Sequence, residues 1–305
     1  PRRPGVVGYA MSGTRTVLAW MLGFVLAVAV VLLEMAIVLS TTVLDPEFVT
    51  SKLASIELHP LVAEEAKKQL PPEGLFVVDI IDEVAPELEP WTHEQASTIV
   101  RAVDAYLEGD EEFRAVVSLV EPKSVLSVHV EATIRDLGLP HLPGLPVLTE
   151  DMIVELVLEE LNRRIPDLLV VDETFLDVQT IGALRQARQF VSYLTLSLKV
   201  LPVVCILSVL LIVALCSWRL KLAARYVGAA LCVAGIASLV VAGLARVYLP
   251  RAIPDAIPAQ LVAFAPGFIA DCCRPLFFYA AATLAAGVGV LLVTLWQHSR
   301  GRPGG

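Results

Sequence analysis

An all-α membrane protein is predicted, with four transmembrane helices and a mainly α-helical extracytoplasmic domain inserted between the first and second. Three observations predict it. Four apolar runs, Thr16–Val43, Leu194–Ser217, Tyr226–Tyr248 and Leu276–Trp296, each reach the ~20 residues that a helix needs to cross the hydrocarbon core. Only 18% of the 305 residues are charged and 56% are hydrophobic, against about 25% charged in a soluble domain. The charge is also segregated. Residues 44–192 hold 29 acidic and 11 basic residues, a net of −18, while the rest holds 3 and 12, a net of +9, together giving the chain's −9.

The basic residues beside the runs set the orientation, because cytoplasmic flanks attract Lys and Arg. Arg2, Arg3 and Arg15 precede the first run, Arg219, Lys221 and Arg225 lie between the second and third, and Arg300 and Arg302 follow the fourth. The expected order is a cytoplasmic N-terminus (1–15), span one (16–43), an acidic extracytoplasmic domain (44–192) and span two (193–217). A cytoplasmic loop (218–225), span three (226–248), an outer Pro-rich interfacial loop (249–275), span four (276–296) and a cytoplasmic tail (297–305) follow. Trp20, Trp218, Tyr226, Tyr248 and Trp296 sit where interfacial aromatic belts form. The first run exceeds the 7–15 apolar residues of a signal-peptide core, and Leu39-Ser40-Thr41-Thr42 is a poor cleavage site, so it reads as an uncleaved signal anchor.

Within the inserted domain, Asp45-Pro46 is a helix start, an N-cap residue with Pro at the first helical position. A short helix over Leu61–Leu70 should stop at Pro71-Pro72. Thr92 is expected to cap a helix that runs to about Leu107, with Ile99, Val103 and Tyr106 on one face, and Gly109-Asp110 to break it. Helices over Glu111–Val120 and Pro122–Leu137 come next. Residues 138–148 form an apolar Pro/Gly-rich loop, fitting a place either under the domain or against the membrane. Thr149 should cap a helix with Glu150 and Asp151 at its start and Arg163 and Arg164 at its end, an arrangement that suits the helix dipole. Residues 168–178 are the most strand-like stretch. From Thr180 a helical period passes unbroken into span two, with a kink expected at Pro202. Between the prolines of 249–275, Ala259–Ala265 is too short to span and suits a helix lying at the membrane surface.

Glu34 is the residue most in need of a role, since an ionisable group inside a span is costly. Lys199 occupies a similar depth in span two and Arg246 lies near the outer end of span three, so the three are candidates for an intramembrane charge cluster. It would lock spans together, line a proton or ion path, or contact a partner subunit or lipid. Small residues suggest close helix packing: Gly23 and Ala27 in span one, Gly235, Ser238 and Ala242 in span three, and Ala282, Ala286 and Gly289 in span four.

No catalytic, cofactor or metal constellation is expected. His59, His93, His129, His141 and His298 lack the paired spacing of a zinc protease helix, and no P-loop, dinucleotide glycine pattern or nucleophile elbow occurs. The acidic stretches Glu108–Glu112 and Asp172-Glu173 lack calcium-loop spacing and read as solvated surface. The five cysteines, Cys205, Cys216 and Cys232 in spans and Cys272 and Cys273 in the outer loop, leave the large domain without a disulfide framework. Its negative charge excludes nucleic acid as a partner.

Leu44-Asp45-Pro46-Glu47-Phe48 after the first run, and Arg185–Gln189 leading into the closing spans, resemble a family of bacterial four-span integral membrane proteins with a large extracytoplasmic helical domain. That family has no known function, so the resemblance implies topology only; the Arg-over-Lys bias and Ala/Val richness point to a bacterial source, and the expected location is the bacterial plasma membrane. The expected partners are the lipid bilayer and either further copies of the chain or a larger membrane complex. The reading is a non-enzymatic protein whose outer domain mediates self-assembly or attachment to an envelope complex. The alternative is an oligomeric transporter or channel component using Glu34 and Lys199.

Overall fold

The computed structural model describes residues 13–58, 60, 64, 83–109, 112–136, 150–252 and 265–300. The expected helix at Leu61–Leu70, the loop at 138–148 and the surface segment at 259–265 lie wholly or largely outside them. Ten elements follow in order: α1 (Gly13–Thr41), α2 (Pro46–Leu53), α3 (Glu89–Glu108), β1 (Arg114–Ser118), α4 (Val120–Asp136), α5 (Glu150–Arg164), β2 (Leu168–Asp172), α6 (Val178–Leu215), α7 (Leu220–Ala252) and α8 (Ala265–Arg300). Four of them, α1, α6, α7 and α8, are long and apolar enough to cross a membrane. The chain divides into two compact units, Pro1–Val43 with Tyr193–Gly305, and Leu44–Ser192.

The spanning unit is organised around α7 and α8. Lipid tails are as apolar as leucine, so helices in a membrane gain little from hydrophobicity and associate through close packing. Glycine makes that packing close here. A Cβ built on Gly235 would lie 2.7 Å from the backbone nitrogen of Leu284, and one on Gly287 would lie 2.7 Å from that of Cys232. A Cβ on Gly228 would lie 3.0 Å from the Leu291 side chain. The two backbones thus run antiparallel and nearly touch. α1 runs parallel to α7 on this pair. Trp20 meets Tyr226 edge to face at a centroid distance of 5.6 Å, Gly23 faces Ala230, and Val38 packs with Ala242 and Leu276.

α6 is the peripheral helix. Only 11% of its apolar window is buried, against 39% for α1. It joins the core near its C-terminal end, where Ile212 and Cys216 pack with Leu26, Ala27, Ala230 and Ala234. Pro202 lies inside it. Its end is a Schellman turn: the Trp218 amide donates to Val213 at 3.2 Å and the Ser217 amide to Ala214 at 2.9 Å. Glycine usually occupies such a turn, yet Ser217 and Trp218 both hold positive φ, 51° and 60°. This strained corner sets α7 off directly, its first free amides turned toward the Arg219 carbonyl.

In the second unit, Asp45 caps α2 as its sequence suggests, its Oδ1 accepting from the amides of Glu47 at 2.9 Å and Phe48 at 3.4 Å. α3 begins at Glu89 with Pro90 in its first turn, three residues before the expected cap. Thr92 instead turns its hydroxyl back onto the Leu88 and Glu89 carbonyls. The helix ends at Gly109, whose φ of 90° gives the left-handed cap. Where a helix over Glu111–Val120 is expected, Arg114–Ser118 form a strand and Val120 opens the next helix. Ala115 and Val117 point inward while Arg114 and Val116 point out, a period of two that a short β-branched run obeys in place of a helical one. β1 pairs antiparallel with β2, in the stretch expected to be most strand-like, and this two-stranded sheet is a small insertion in an otherwise helical set of described residues. β2 stops at Asp172 because its carboxylate accepts from the amide and hydroxyl of Thr174, at 2.9 Å and 2.5 Å, and turns the chain.

A small core, Tyr106, Phe113 and Ala115 with Val171, Leu176 and Leu184, joins α3, the sheet and the start of α6. α3 grips the end of β1 with two side chains. Trp91 Nε1 donates to the Ser118 carbonyl at 2.7 Å, and the Ser118 amide donates to Gln95 Oε1 at 3.2 Å. Arg188 of α6 lies over the Tyr106 ring at 5.0 Å and donates to the Gly109 carbonyl at 3.0 Å. The apolar runs underestimate the lengths of α7 and α8. α7 continues to Ala252 and α8 starts at Ala265, so Pro250, Pro275, Cys272 and Cys273 are helical.

Two predictions follow from the packing and charge of these units. Gly287→Ala, which forces its methyl into the Cys232 backbone, should destabilise the solubilised protein by about 1–3 kcal/mol. Gly289→Ala, with nothing within 4 Å, should fall within about 0.5 kcal/mol of the parent. Thermal melts in detergent measure both. Burial, Glu108 and then Asp45 push the Asp104 carboxyl above its ordinary value of 3.8. A raised folded-state value means the ionised form is disfavoured by folding, so that contribution is lost as pH rises through it. Asp104→Asn should therefore raise the melting temperature at pH 7 and confer no gain below pH 3.8. An equal gain at both pH values would show that charge is not the cause.

Candidate functional site

Glu34 lies seven residues before the end of α1 at Thr41, ~10 Å inside the helix end at the helical rise per residue. Its side chain faces the α7–α8 pair and is only 6% exposed. There each carboxyl oxygen has a hydroxyl partner. Ser238 Oγ on α7 donates to Oε2 at 2.5 Å, and Thr283 Oγ1 on α8 donates to Oε1. Ser238 is fully buried. Three helices that are distant in sequence therefore meet at one polar point, each supplying one side chain.

The chemistry of this arrangement is that of a clasp. An unsatisfied acid in hydrocarbon is expensive, and α1 relieves that cost only when Ser238 and Thr283 are in place. The polar contact thus selects one register of α1 along the groove between α7 and α8, a choice that apolar packing alone specifies weakly.

The other predicted charges are elsewhere. Lys199 is exposed on α6 and Arg246 is exposed on α7. Among the described residues, Glu34 forms no ion pair with either. Of the packing candidates, Gly23, Ala27, Gly235, Ser238 and Ala242 lie in helix contacts. Ala282 and Ala286 are exposed and Gly289 meets nothing, because α8 turns the stripe of Leu276, Ala280, Thr283 and Gly287 toward its neighbours instead. Thr283, Gly228 and Gly287 were not singled out by sequence. An isolated hydroxyl in an otherwise apolar run, opposite a run with one acid, was the available signal for Thr283.

In the other unit the titratable groups form surface pairs. His129 Nε2 sits 3.2 Å from Glu87, His93 Nε2 2.8 Å from Glu89, and Lys123 Nζ 2.6 Å from Asp167. The Thr174 contacts hold the Asp172 carboxyl below its usual range, and the Thr180 hydroxyl and amide do the same for Asp177 at the start of α6. No cluster of three His, Cys, Asp or Glu poised to hold a metal occurs among the described residues. The outward face of the sheet is unusual. Val116 and Val170 pair directly and are 39% and 40% exposed, with Leu168 beside them at 58%.

The chain matches no protein-family model, no curated protein and no solved structure.

The clasp makes a quantitative prediction. Ser238→Ala and Thr283→Val should each cost about 1 kcal/mol in detergent unfolding, and a double-mutant cycle of Glu34→Ala with Ser238→Ala should give a coupling near 1 kcal/mol. Lys199→Met should change stability by less than about 0.5 kcal/mol. Zero coupling in the cycle, with Lys199→Met strongly destabilising, would return Glu34 to the lysine.

Proposed function

We propose that the protein is a non-enzymatic bacterial plasma-membrane protein whose acidic domain, residues 44–192, stands on the extracytoplasmic side and mediates self-assembly or attachment to an envelope complex. Both termini are cytoplasmic in this reading, in keeping with the basic flanks. The observation that carries it is the exposed apolar face of the β1–β2 sheet. A sheet with one face in a core normally presents polar residues on the other. Here Val116, Val170 and Leu168 stand exposed, bordered by the oppositely charged pair Arg114 and Asp172. An apolar centre with a charged rim is the composition of a protein contact surface.

The Glu34 clasp supports an anchoring role for the spanning unit rather than a path through it. Its carboxyl is enclosed by three helices and its hydrogen-bonding partners are neutral hydroxyls.

The test is the native mass of the gently solubilised full chain beside that of Val116→Asp and Val170→Asp. Both side chains are exposed, so the fold should survive. The expected result is a defined assembly, of copies or with co-purifying envelope proteins, that either substitution dissociates. A parent protein that is monomeric and partner-free would sink the reading.

A further inference from the structure

We propose that the shallow groove between α1 and α7, at their basic ends, binds one anionic phospholipid. The groove has a volume of about 100 Å³. Gly23, Ala27 and Ala230 form its floor, where small side chains leave the two backbones bare, and Phe24 and Val233 rise at its sides. The edge-to-face pair Trp20 and Tyr226 marks the end nearest the helix N-termini. From Trp20 to Ala27 the groove is about 10 Å long at the helical rise per residue. That suits a length of acyl chain. A helix from a second copy is about 10 Å wide with its side chains and would need a broader seat than this volume offers.

The occupant's charge follows from what surrounds the mouth. α1 and α7 run parallel, so their N-terminal ends lie together beyond the aromatic pair. Arg15 precedes Trp20 by five residues, Arg225 adjoins Tyr226, and Arg219 immediately precedes α7, nearly two turns further out. All three are exposed, and among the described residues none has an acidic partner. Uncompensated guanidinium groups beside a chain-sized apolar groove match a phosphate attached to an acyl tail, and Arg receives phosphate through paired donors. Tyr226 and Trp20 then sit at the level where headgroup and tail join.

The experiment is native mass spectrometry of the purified full chain titrated with dioleoyl phosphatidylglycerol or dioleoyl phosphatidylcholine. The expected result is retention of one phosphatidylglycerol with a preference on the order of ten-fold over phosphatidylcholine. The pair Arg219→Gln with Arg225→Gln should abolish the preference. Ala229→Phe, which fills the groove from its rim, should lower binding of both lipids, and a thermal melt confirms that each variant is folded. Equal retention of the two lipids, or a preference that survives both sets of substitutions, would overturn the proposal. So would a dimer that Ala229→Phe dissociates, since a second copy would then occupy the groove.

Discussion

The near-contact of the α7 and α8 backbones is the constraint on which the spanning unit depends. In water a helix pair is held by expelled solvent, whereas in lipid that force is absent and contact area must come from shape. Gly235 and Gly287 let the two helices approach until an added Cβ would strike the opposing main chain, and one on Gly228 would press on the Leu291 side chain. This approach fixes where Ser238 and Thr283 stand relative to each other. Only then do two hydroxyls converge on one point, and only then is there a place for an acid from α1. The clasp is a consequence of the glycine contact, and α1 is the third helix because it carries the one residue that completes it.

This dependence explains why the spans were legible in the sequence and their assembly was not. Apolar length is a local property, so the four runs announce themselves, as do Asp45 before Pro46 and the left-handed stop at Gly109. The partner of Glu34 is not local. Lys199 was the natural guess because opposite charge at similar depth is all that a linear reading offers. In the structure α6 packs with the core near its C-terminal end and Lys199 is exposed, while the Glu34 carboxyl is held by Ser238 and Thr283. A lysine near a span end has an alternative to pairing, since its long stem lets the ammonium reach the polar boundary, while the shorter glutamate at position 34 has none.

The same distinction applies to the small residues. Ala282, Ala286 and Gly289 share a helical face as well as Thr283 and Gly287 do, and composition cannot tell a face turned to lipid from one turned to a neighbour. The strand at Arg114–Ser118 was missed for a related reason. Five residues of mixed character satisfy a helical period about as easily as an alternating one, and what decides is β2, more than fifty positions later, offering Leu168–Asp172 as a partner. Trp91 and Gln95 then secure Ser118 from the side, so the strand is held by tertiary contacts more than by its own propensity.

Charge segregation gives the two units opposite relations to a membrane surface, and this bears on how the chain is oriented. The spanning unit and its flanks carry all the surplus cations, and those nearest the α1–α7 groove lack acidic partners among the described residues. A cytoplasmic leaflet with anionic headgroups attracts them by about 1 kcal/mol per basic side chain. The acidic unit, at a net of −18 over residues 44–192, is repelled by the same headgroups. Each effect is small beside the insertion energy of four helices, and neither chooses the fold. In the topology proposed above, the basic flanks bear on a choice that insertion leaves open, which end of each helix faces inward. A lipid held by Arg219 and Arg225 would add to that preference a fixed local contact, at the corner where Ser217 and Trp218 already hold the α6–α7 turn in a strained conformation.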